Sequence, residues 1–422
     1  MKKDQGKTLR VLHTSDWHLG RSLHEHPRDD EFRAFLDWMI DTIEREEIDV
    51  LLVAGDVFDT SNPPYLAQQM YYEFCMRLSK TCCRHAVITS GNHDSAVFID
   101  VPGRILECLH IHVVGQPRFG MRGGGTAADE VVVLCDAAGE VELIVAAVPY
   151  LADGDVRGSE AGESSQAKAM HMRKGMAAHY AKVAEACEEV RAGREIPVIA
   201  MGHLFVDAGL QCGDGVRQTY VGMLGGVDVA CFGETFDYVA LGHIHVPQCV
   251  RGRENIRYSG SPLAMGFGEA GQQKSLCKIV FDGKKPEISL IPVERFHRIA
   301  RIEGDKSSIE KQLHSLAADE SEVYVSVTYT GTEAVESVIG FVQDILDGAG
   351  AKHVLCLDTQ DASRTHTVGN AEPTAIRNES LYDFDEHSVF EMLLEAKGIP
   401  EEERVALRAT YDELLIMVAE NQ

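Results

Sequence analysis

Short apolar runs alternate with longer amphipathic segments over the first part of this 422-residue chain, and this alternation constrains the fold more than any other feature. The apolar runs lie at residues 9–13, 50–53 and 86–89. Between them, apolar side chains recur at helical spacing at residues 29–46 and 66–78. Runs of this length predict buried strands, and the intervening period predicts helices. Strands and helices in alternation predict a layered α/β domain.

The same pattern continues to about residue 292. Further strands are predicted at residues 131–135, 143–148, 197–201, 238–241 and 276–281. A long helix is predicted at residues 167–191, and a Gly- and Ser-rich segment at residues 153–165 predicts a loop before it. The first domain is therefore expected to be large and to contain most of the strands.

The pattern changes after residue 295. Strand-like runs at residues 323–328 and 353–357 flank a helical segment at residues 333–346, which predicts a small α+β module. Residues 366–378 predict a linker, and residues 380–420 predict acidic helices with too many apolar positions to stay exposed, so they are expected to dock on a partner. The expected domains are a large domain over residues 1–294, the small module over 295–368, and the linker with the C-terminal helices over 369–422.

Five segments share one arrangement, in which an apolar run leads into Asp, His or Asn. The carboxyl ends of parallel strands lie side by side, and ligands bind in the crevice beyond them, so distant segments can converge there. A Gly precedes four of the five and permits a sharp turn. The segments are Thr14-Ser15-Asp16-Trp17-His18, Gly55-Asp56-Val57-Phe58-Asp59, Gly91-Asn92-His93-Asp94, Gly202-His203 and Gly242-His243-Ile244-His245.

These residue types indicate a metal centre. Mixed oxygen and imidazole donors without Cys suit Mn, Fe or Zn better than Ca or Mg. The ligands are too many for one tetrahedral ion, and Asp56 is a natural bridge between two. Two cations about 3.5–4 Å apart would clamp a phosphate and activate water near neutral pH. Asn92 would add an uncharged oxygen ligand, and His93 would stand beside it as a proton donor.

Composition restricts the class of protein and the way it could bind nucleic acid. No apolar run of about 18 residues and no N-terminal apolar signal region occur, which predicts neither a membrane span nor secretion. The 11 Cys are scattered, as is typical of a reducing cytoplasm. The net charge of −26 argues against charge-driven binding of nucleic acid. Binding would need bound cations, local Arg and Lys clusters, or a basic partner.

The ordered set D-x-H, G-D-x-x-D, G-N-H-D, G-H and G-H-x-H resembles the calcineurin-like metallophosphoesterase superfamily. Within that superfamily, the residues around these motifs resemble the SbcD family of bacterial DNA nucleases and its archaeal and eukaryotic relatives. The resemblance covers most of residues 8–300 and is looser beyond them. It rests on Gly55-Asp56-Val57-Phe58-Asp59-Thr60, Pro63-Pro64, His203-Leu204-Phe205-Val206, Tyr220-Val221-Gly222, residues 236–247 and Tyr258-Ser259-Gly260-Ser261-Pro262.

The resemblance implies a four-layer α-β-β-α sandwich with a small α+β capping domain and a C-terminal helical tail. It implies that His93 is the catalytic histidine and that Asp59 orients it. It also implies two metal sites that share one ligand. The ligands of one site would be Asp16, His18, Asp56 and His245, and those of the other Asp56, Asn92, His203 and His243.

The resemblance further implies a manganese-dependent enzyme that degrades double-stranded DNA ends and cuts single strands and hairpins. Its partner would be SbcC, a large coiled-coil ATPase of the ABC type, and the nuclease subunit would form a homodimer within a heterotetramer. The module after residue 295 would help orient DNA, and the acidic tail would dock at the base of the partner's coiled coil.

Two other functions stay open on the sequence alone. The core motifs would also suit another dimetal phosphoesterase, acting on nucleotides or phosphoproteins. A scaffold subunit that binds DNA ends without cleaving them is the alternative of a different class. Asp94 could cap a turn or serve the chemistry, and Trp17 could pack behind the site or touch substrate. His110-Ile111-His112 repeats the H-x-H spacing without the Gly and is expected to be structural.

Overall fold

We describe the chain from a computed structural model that defines residues 8–158, 165–206, 226–319, 321–333, 335, 337–362, 394 and 404. None of the helices in these ranges combines the length and the apolar character needed to cross a membrane. The expected linker and helical tail at residues 369–422 lie outside the described residues, apart from Leu394 and Arg404. The segment Tyr220-Val221-Gly222 lies outside them as well.

The strands of the described residues confirm every strand expected from the sequence and add several others. In chain order they are β1 (Leu9–Thr14), β2 (Val50–Ala54), β3 (His85–Thr89), β4 (Ile111–Val114), β5 (Val131–Cys135), β6 (Val141–Ala147), β7 (Val198–His203), β8 (Tyr238–Gly242), β9 (Gln248–Val250), β10 (Arg253–Tyr258), β11 (Ser275–Asp282), β12 (Lys285–Pro292), β13 (Arg298–Gly304), β14 (Val323–Tyr329) and β15 (Val354–Asp361).

The helices lie between these strands. They are α1 (Asp29–Arg45), α2 (Tyr65–Leu78), α3 (Ala96–Asp100), α4 (Gly103–Glu107), α5 (Asp153–Val156), α6 (Ser165–Arg191), α7 (Lys306–Ala317) and α8 (Val338–Ala349). The predicted loop at residues 153–165 therefore begins with a short helix. The helix predicted from residue 333 begins later, because the Ser337 side chain accepts a hydrogen bond from the amide of Gly340 and caps it.

Two six-stranded sheets form the large domain. The first has the order β12-β11-β1-β2-β3-β4, and the second has the order β5-β6-β7-β8-β10-β9. Strands β1 to β4 run parallel, as do β6, β7, β8 and β10, while antiparallel strands lie at the sheet edges. The parallel strands therefore present their carboxyl ends, and the loops that follow them, on one side of each sheet.

The two sheets pack face to face around a shared apolar core. Val11, Leu52 and Val87 of the first sheet face Val145 and Met201 of the second. Helices α1 and α2 cover the outer face of the first sheet through a cluster that includes Phe32, Phe35 and Phe74, and α6 packs on the second sheet. The order of layers is helix, sheet, sheet, helix, which confirms the predicted α-β-β-α sandwich.

A separate sheet of three strands, β13-β14-β15, follows the large domain in the chain. Its strands are parallel, with α7 and α8 connecting them, and its core includes Ile302, Leu313, Val325 and Leu346. The expected α+β description is wrong for this module in one respect. Both crossovers are helices, so the strands alternate with helices in a parallel unit. Sequence reasoning did not predict β13 and α7, which are the first strand and the first helix of this parallel unit.

Matched valines on neighbouring strands test the inter-sheet core. Val145 is fully buried between the sheets, whereas Val133 on β5 is 37% exposed. Val145→Ala should lower the free energy of unfolding by about 2 kcal/mol, because it removes buried methyl groups and leaves a cavity. Val133→Ala should change it by less than about 0.5 kcal/mol. Urea unfolding followed by circular dichroism measures both, and equal losses would contradict the assigned core.

Candidate metal centre

The seven predicted ligands come together at the carboxyl ends of the parallel strands. Asp16 and His18 follow β1, Asp56 follows β2, and Asn92 follows β3. His203 is the last residue of β7, and His243 and His245 follow β8. Ligand atoms of the predicted metal residues lie within 4.8 Å of one another in two groups of three, Asp16, His18 and His245, and Asp56, His203 and His243. A third group within the same distance joins His18 to Asp59 and His93.

Backbone hydrogen bonds fasten the loops that carry these side chains. The amide of Asp16 donates to the carbonyl of Gly55 at 3.0 Å, and the amide of His18 donates to the carbonyl of Asp56 at 3.0 Å. The amide of His243 donates to the Asp16 carboxylate at 2.9 Å. Loops from β1, β2 and β8 are therefore held as one unit across both sheets.

Four of the predicted ligands have a left-handed backbone, which is uncommon for residues other than Gly. The φ angles are 53° at Asp16, 49° at His18, 50° at Asp56 and 98° at His243. Each such position costs of order 1–3 kcal/mol and persists only where the surrounding structure enforces it. The hydrogen bonds between the loops supply that enforcement.

Asp56 lies between the two groups and contacts both. One carboxylate oxygen is 3.2 Å from Nε2 of His203 and 3.6 Å from Nε2 of His18. The other accepts a hydrogen bond from the amide of His93 at 2.9 Å. The carboxylate is buried, with 1% of the residue exposed. A carboxylate in this position can serve both groups at once.

The histidines present Nε2 toward the centre. In the first group, Nε2 of His18 and Nε2 of His245 approach to 3.2 Å. In the second, Nε2 of His203 lies 3.1 Å from Oδ1 of Asn92, while Nδ1 donates to the carbonyl of Ala54 at 2.9 Å. A carbonyl only accepts, so Nδ1 of His203 carries a hydrogen, and Nε2 is the ring nitrogen that a cation would bind once the proton there is released. Imidazole nitrogens beside carboxylate and amide oxygens form a donor set that suits divalent cations.

His93 and Asp59 lie at the open side of the centre, where His93 is exposed. Nδ1 of His93 lies 2.9 Å from the main-chain carbonyl of Asp59. The Asp59 carboxylate lies 3.2 Å from Nδ1 of His18 and 3.0 Å from Arg21, and within 4.8 Å of a ring nitrogen of His93. Asp59 therefore contacts His93 through its backbone, and its side chain contacts a predicted ligand.

Two family models match the chain. The calcineurin-like phosphoesterase model matches residues 9–247, which is more than half of the chain and contains all of the predicted ligands. A model described as the type 5 capsule protein repressor C-terminal domain matches residues 295–398.

Curated relatives extend the match to nearly the whole chain. The SbcD subunit of the SbcCD nuclease of Escherichia coli K12 is 30% identical over 419 residues, covering 97% of this chain and 99% of the relative. The chain belongs to the SbcD family of calcineurin-like phosphoesterases. The proteins of the same name in Rhodobacter capsulatus and Bacillus subtilis are each 36% identical, covering 62% and 66% of this chain and 64% and 67% of the relatives. The chain is therefore a hydrolase of the nuclease type on a dimetal phosphoesterase scaffold.

The electrostatics of this SbcD-type centre fit bound cations. Burial opposes protonation of His203, but the Asp56 carboxylate outweighs it and raises the pKa of His203 to about 9. Burial and the neighbouring His203 lower the pKa of His243 to about 3. Burial raises the pKa of Asp16. Protons held among buried carboxylates and imidazoles in this way are those that cation binding releases.

The glycines of the motifs act mainly by leaving space. Among Gly55, Gly91, Gly202 and Gly242, only Gly55 has a positive φ, at 82°. The prediction that these glycines avoid a Cβ clash is confirmed at all four, because an added Cβ would overlap a neighbouring atom at each. Only Gly55 also needs a left-handed backbone. A Cβ on Gly91 would overlap the Asp56 carboxylate, so this Gly is required by the close approach of Asp56.

Asp94 is a supporting residue of the site. Its buried carboxylate accepts hydrogen bonds from the amides of Gly91, Val57 and Phe58 at 2.8, 3.1 and 2.9 Å. Burial and the charge of Asp56 raise the pKa of Asp94 to about 6. Asp94 joins the loops after β2 and β3, which is the capping role rather than the chemical one.

Trp17 and the second H-x-H pair are structural. The Trp17 ring is fully buried against Phe35 and Phe74 at 6.1 and 5.3 Å between centroids, so it packs behind the site. His110 lies just before β4 with φ of 58°, and His112 lies within that strand. Neither joins the two groups of candidate ligands. The expected structural role is consistent with this placement, although the two side chains do not share one strand face as expected.

A pair of glycine substitutions tests the packing of the centre. Gly91→Ala should weaken Mn²⁺ binding at least about tenfold and cost about 1–3 kcal/mol of stability, because the new methyl group displaces the Asp56 carboxylate. Gly124→Ala is the matched control, since a Cβ there meets nothing within 4 Å. Isothermal titration with Mn²⁺ measures the affinity. Equal affinity of the two variants would contradict the close approach of Gly91 and Asp56.

Proposed function

We propose that the chain is the manganese-dependent nuclease subunit of a DNA end-processing enzyme. The observation that carries the proposal is a buried carboxylate, Asp56, shared between two groups of Asp, Asn and His side chains at the carboxyl ends of parallel strands. Two cations held about 3.5–4 Å apart are the recurring solution for in-line displacement at a phosphodiester. Oxygen and imidazole ligands without Cys suit Mn²⁺, Fe²⁺ or Zn²⁺, and we choose Mn²⁺ among them from the resemblance to the SbcD family.

Each predicted residue has a distinct role in this proposal. Asn92 would supply an amide oxygen to one cation, and the Asp56 carboxylate would serve both. His203 presents Nε2 to the second cation because the Ala54 carbonyl engages its Nδ1. The proposed ligands of the first cation are Asp16, His18, Asp56 and His245, and those of the second are Asp56, Asn92, His203 and His243.

His93 is the proposed general acid. When bound, the cations stabilise the charge of the phosphate and activate water as the nucleophile. His93 stands at the exposed side of the centre, and the carbonyl of Asp59 accepts its Nδ1 hydrogen, which turns Nε2 toward the open side. From there Nε2 would protonate the departing sugar oxygen. Asp59 orients His93 through its backbone, while its carboxylate orients His18.

The proposed substrates and partner follow the curated relatives. Their name describes one subunit of the SbcCD nuclease, and the match covers 99% of the E. coli relative. We extend this to double-strand exonuclease and single-strand or hairpin endonuclease activity, with an SbcC-type coiled-coil ABC ATPase as partner. In this proposal bound cations neutralise phosphate locally, and the partner contributes much of the DNA affinity, which accommodates the net charge of −26.

The remaining regions have proposed roles in assembly. The catalytic domain spans residues 1–294, the module at 295–368 orients DNA, and residues 369–422 dock on the ATPase.

The nuclease subunit forms a homodimer within a cytoplasmic heterotetramer. Val97, Val101 and Ile105, four residues apart and 56%, 75% and 73% exposed, are apolar side chains that such an interface would cover.

A cleavage assay with purified chain separates this function from its rivals. With Mn²⁺, the chain should cut a labelled hairpin and a linear duplex, and Asp56→Ala should lose cleavage and Mn²⁺ binding together. A phosphate monoester should be a poor substrate. Monoester hydrolysis without DNA cleavage would favour a general phosphatase. Two bound Mn²⁺ with no cleavage, even with the ATPase present, would favour the non-cleaving scaffold.

The proposed acid is tested separately from the ligands. His93→Ala should retain two Mn²⁺ per chain and wild-type DNA affinity but lose cleavage by about 10²–10⁴-fold, because only the proton transfer is removed. His314→Ala, an exposed histidine on α7 beside Glu310, is the control and should cleave normally. Single-turnover cleavage measures both. Normal cleavage by His93→Ala would refute the role of His93.

A further inference from the structure

A buried ion pair lies directly behind His245. Glu269 is 1% exposed, and one of its carboxylate oxygens accepts hydrogen bonds from Nζ of Lys274 at 2.7 Å and from the amide of Met265 at 2.9 Å. Lys274 also donates to the carbonyl of His245 at 2.9 Å and to Oγ of Ser261 at 3.1 Å. The pair is therefore fixed to the loop that carries His245.

The second oxygen of Glu269 faces the imidazole of His245. Oε1 of Glu269 lies 3.9 Å from Nδ1 of His245. Both atoms are buried, and within the described part of the chain neither has a hydrogen-bond partner. A buried polar atom without a partner costs about 1–3 kcal/mol. Two such atoms facing each other across 3.9 Å satisfy each other if the imidazole moves by about 1 Å.

We infer that Glu269 is a positioning residue for His245, accepting its Nδ1–H and leaving Nε2 bare toward the first cation. The direction of the ring supports this, since Nε2 of His245 lies 3.2 Å from Nε2 of His18 on the opposite side from Glu269. A ligating histidine commonly donates its other ring hydrogen to a carboxylate or carbonyl, which fixes the tautomer and raises the basicity of the ligand. The inference rests on the proposed metal centre.

Two other histidines of the centre have a similar arrangement. Nδ1 of His203 engages the carbonyl of Ala54, and Nδ1 of His18 lies 3.2 Å from the Asp59 carboxylate. Glu269 would complete the pattern for His245. Its partner Lys274 holds the carboxylate in place and offsets part of its charge.

A purely structural ion pair is the competing explanation, and a charge-balanced double variant distinguishes the two. Glu269→Gln should weaken Mn²⁺ binding at one of the two sites by about 10–100-fold. Glu269→Gln with Lys274→Met removes both charges together and relieves the unpaired Lys274. If Glu269 only neutralises Lys274, the double variant regains wild-type affinity. If Glu269 holds the His245 ring, the double variant stays weak.

Glu31→Gln is the matched control. Glu31 is also buried, is paired with Arg28 at 2.6 Å, and lines the same small cavity of about 40 Å³ as Glu269. It should leave both Mn²⁺ affinities within about twofold of wild type, since outer residues matter only where they touch a ligand. Isothermal titration with Mn²⁺, on full-length protein first stripped with EDTA, measures all four proteins.

The outcomes separate this inference from the proposed function. A wild-type chain that binds fewer than two Mn²⁺ would overturn the metal centre itself. A wild-type chain that binds two, with Glu269→Gln binding both as tightly, would overturn only the role of Glu269. Recovery of affinity in the double variant would do the same. Should Glu269→Gln fail to fold, the neutral double variant still tests the inference, because wild-type Mn²⁺ affinity in that variant would refute it.

Discussion

The buried carboxylate of Asp56 is the constraint on which the rest of the site depends. Its side chain is nearly inaccessible to solvent and touches His203 and His18 at 3.2 and 3.6 Å. An isolated buried charge is costly, so it must be paired, protonated or bound to a cation. Burial alone would raise the pKa of Asp56, yet the neighbouring histidines lower it well below its usual range. The site is therefore organised to keep this carboxylate ionised.

The fold provides this organisation at its strand ends. Parallel strands of two sheets direct their following loops to one side, where loop-to-loop hydrogen bonds such as that from His18 to Asp56 at 3.0 Å hold strained backbones in place. Gly91 gives the space that the Asp56 carboxylate needs, and Asp94 ties together the loops that flank it. The packing of the two sheets therefore positions the loops that carry the candidate ligands. The same packing, outside the site, offsets the cost of the left-handed backbones in those loops.

Sequence reasoning brought the candidate ligands together because residues that follow parallel strands lie at the same edge of a sheet. Sequence reasoning did not predict which neighbouring residues hold the candidate ligands in position. The pattern G-D-x-x-D does not show that Asp59 contacts His93 through its carbonyl and His18 through its carboxylate. Glu269 carries no motif signal, since it reaches His245 only after the chain has passed through β9 and β10. The small module was predicted to be α+β because β13 and α7 were not recognised in the sequence, so the alternation of strands and helices was not seen.

Electron paramagnetic resonance of the manganese-loaded protein tests the shared carboxylate most directly. Two Mn²⁺ ions bridged by Asp56 should give two metals per chain and an exchange-coupled spectrum, because the bridge holds them about 3.5–4 Å apart. The account predicts that Asp56→Ala abolishes the coupled signal. A wild-type spectrum of isolated Mn²⁺ ions, or a single bound Mn²⁺ per chain, would contradict a centre built around Asp56.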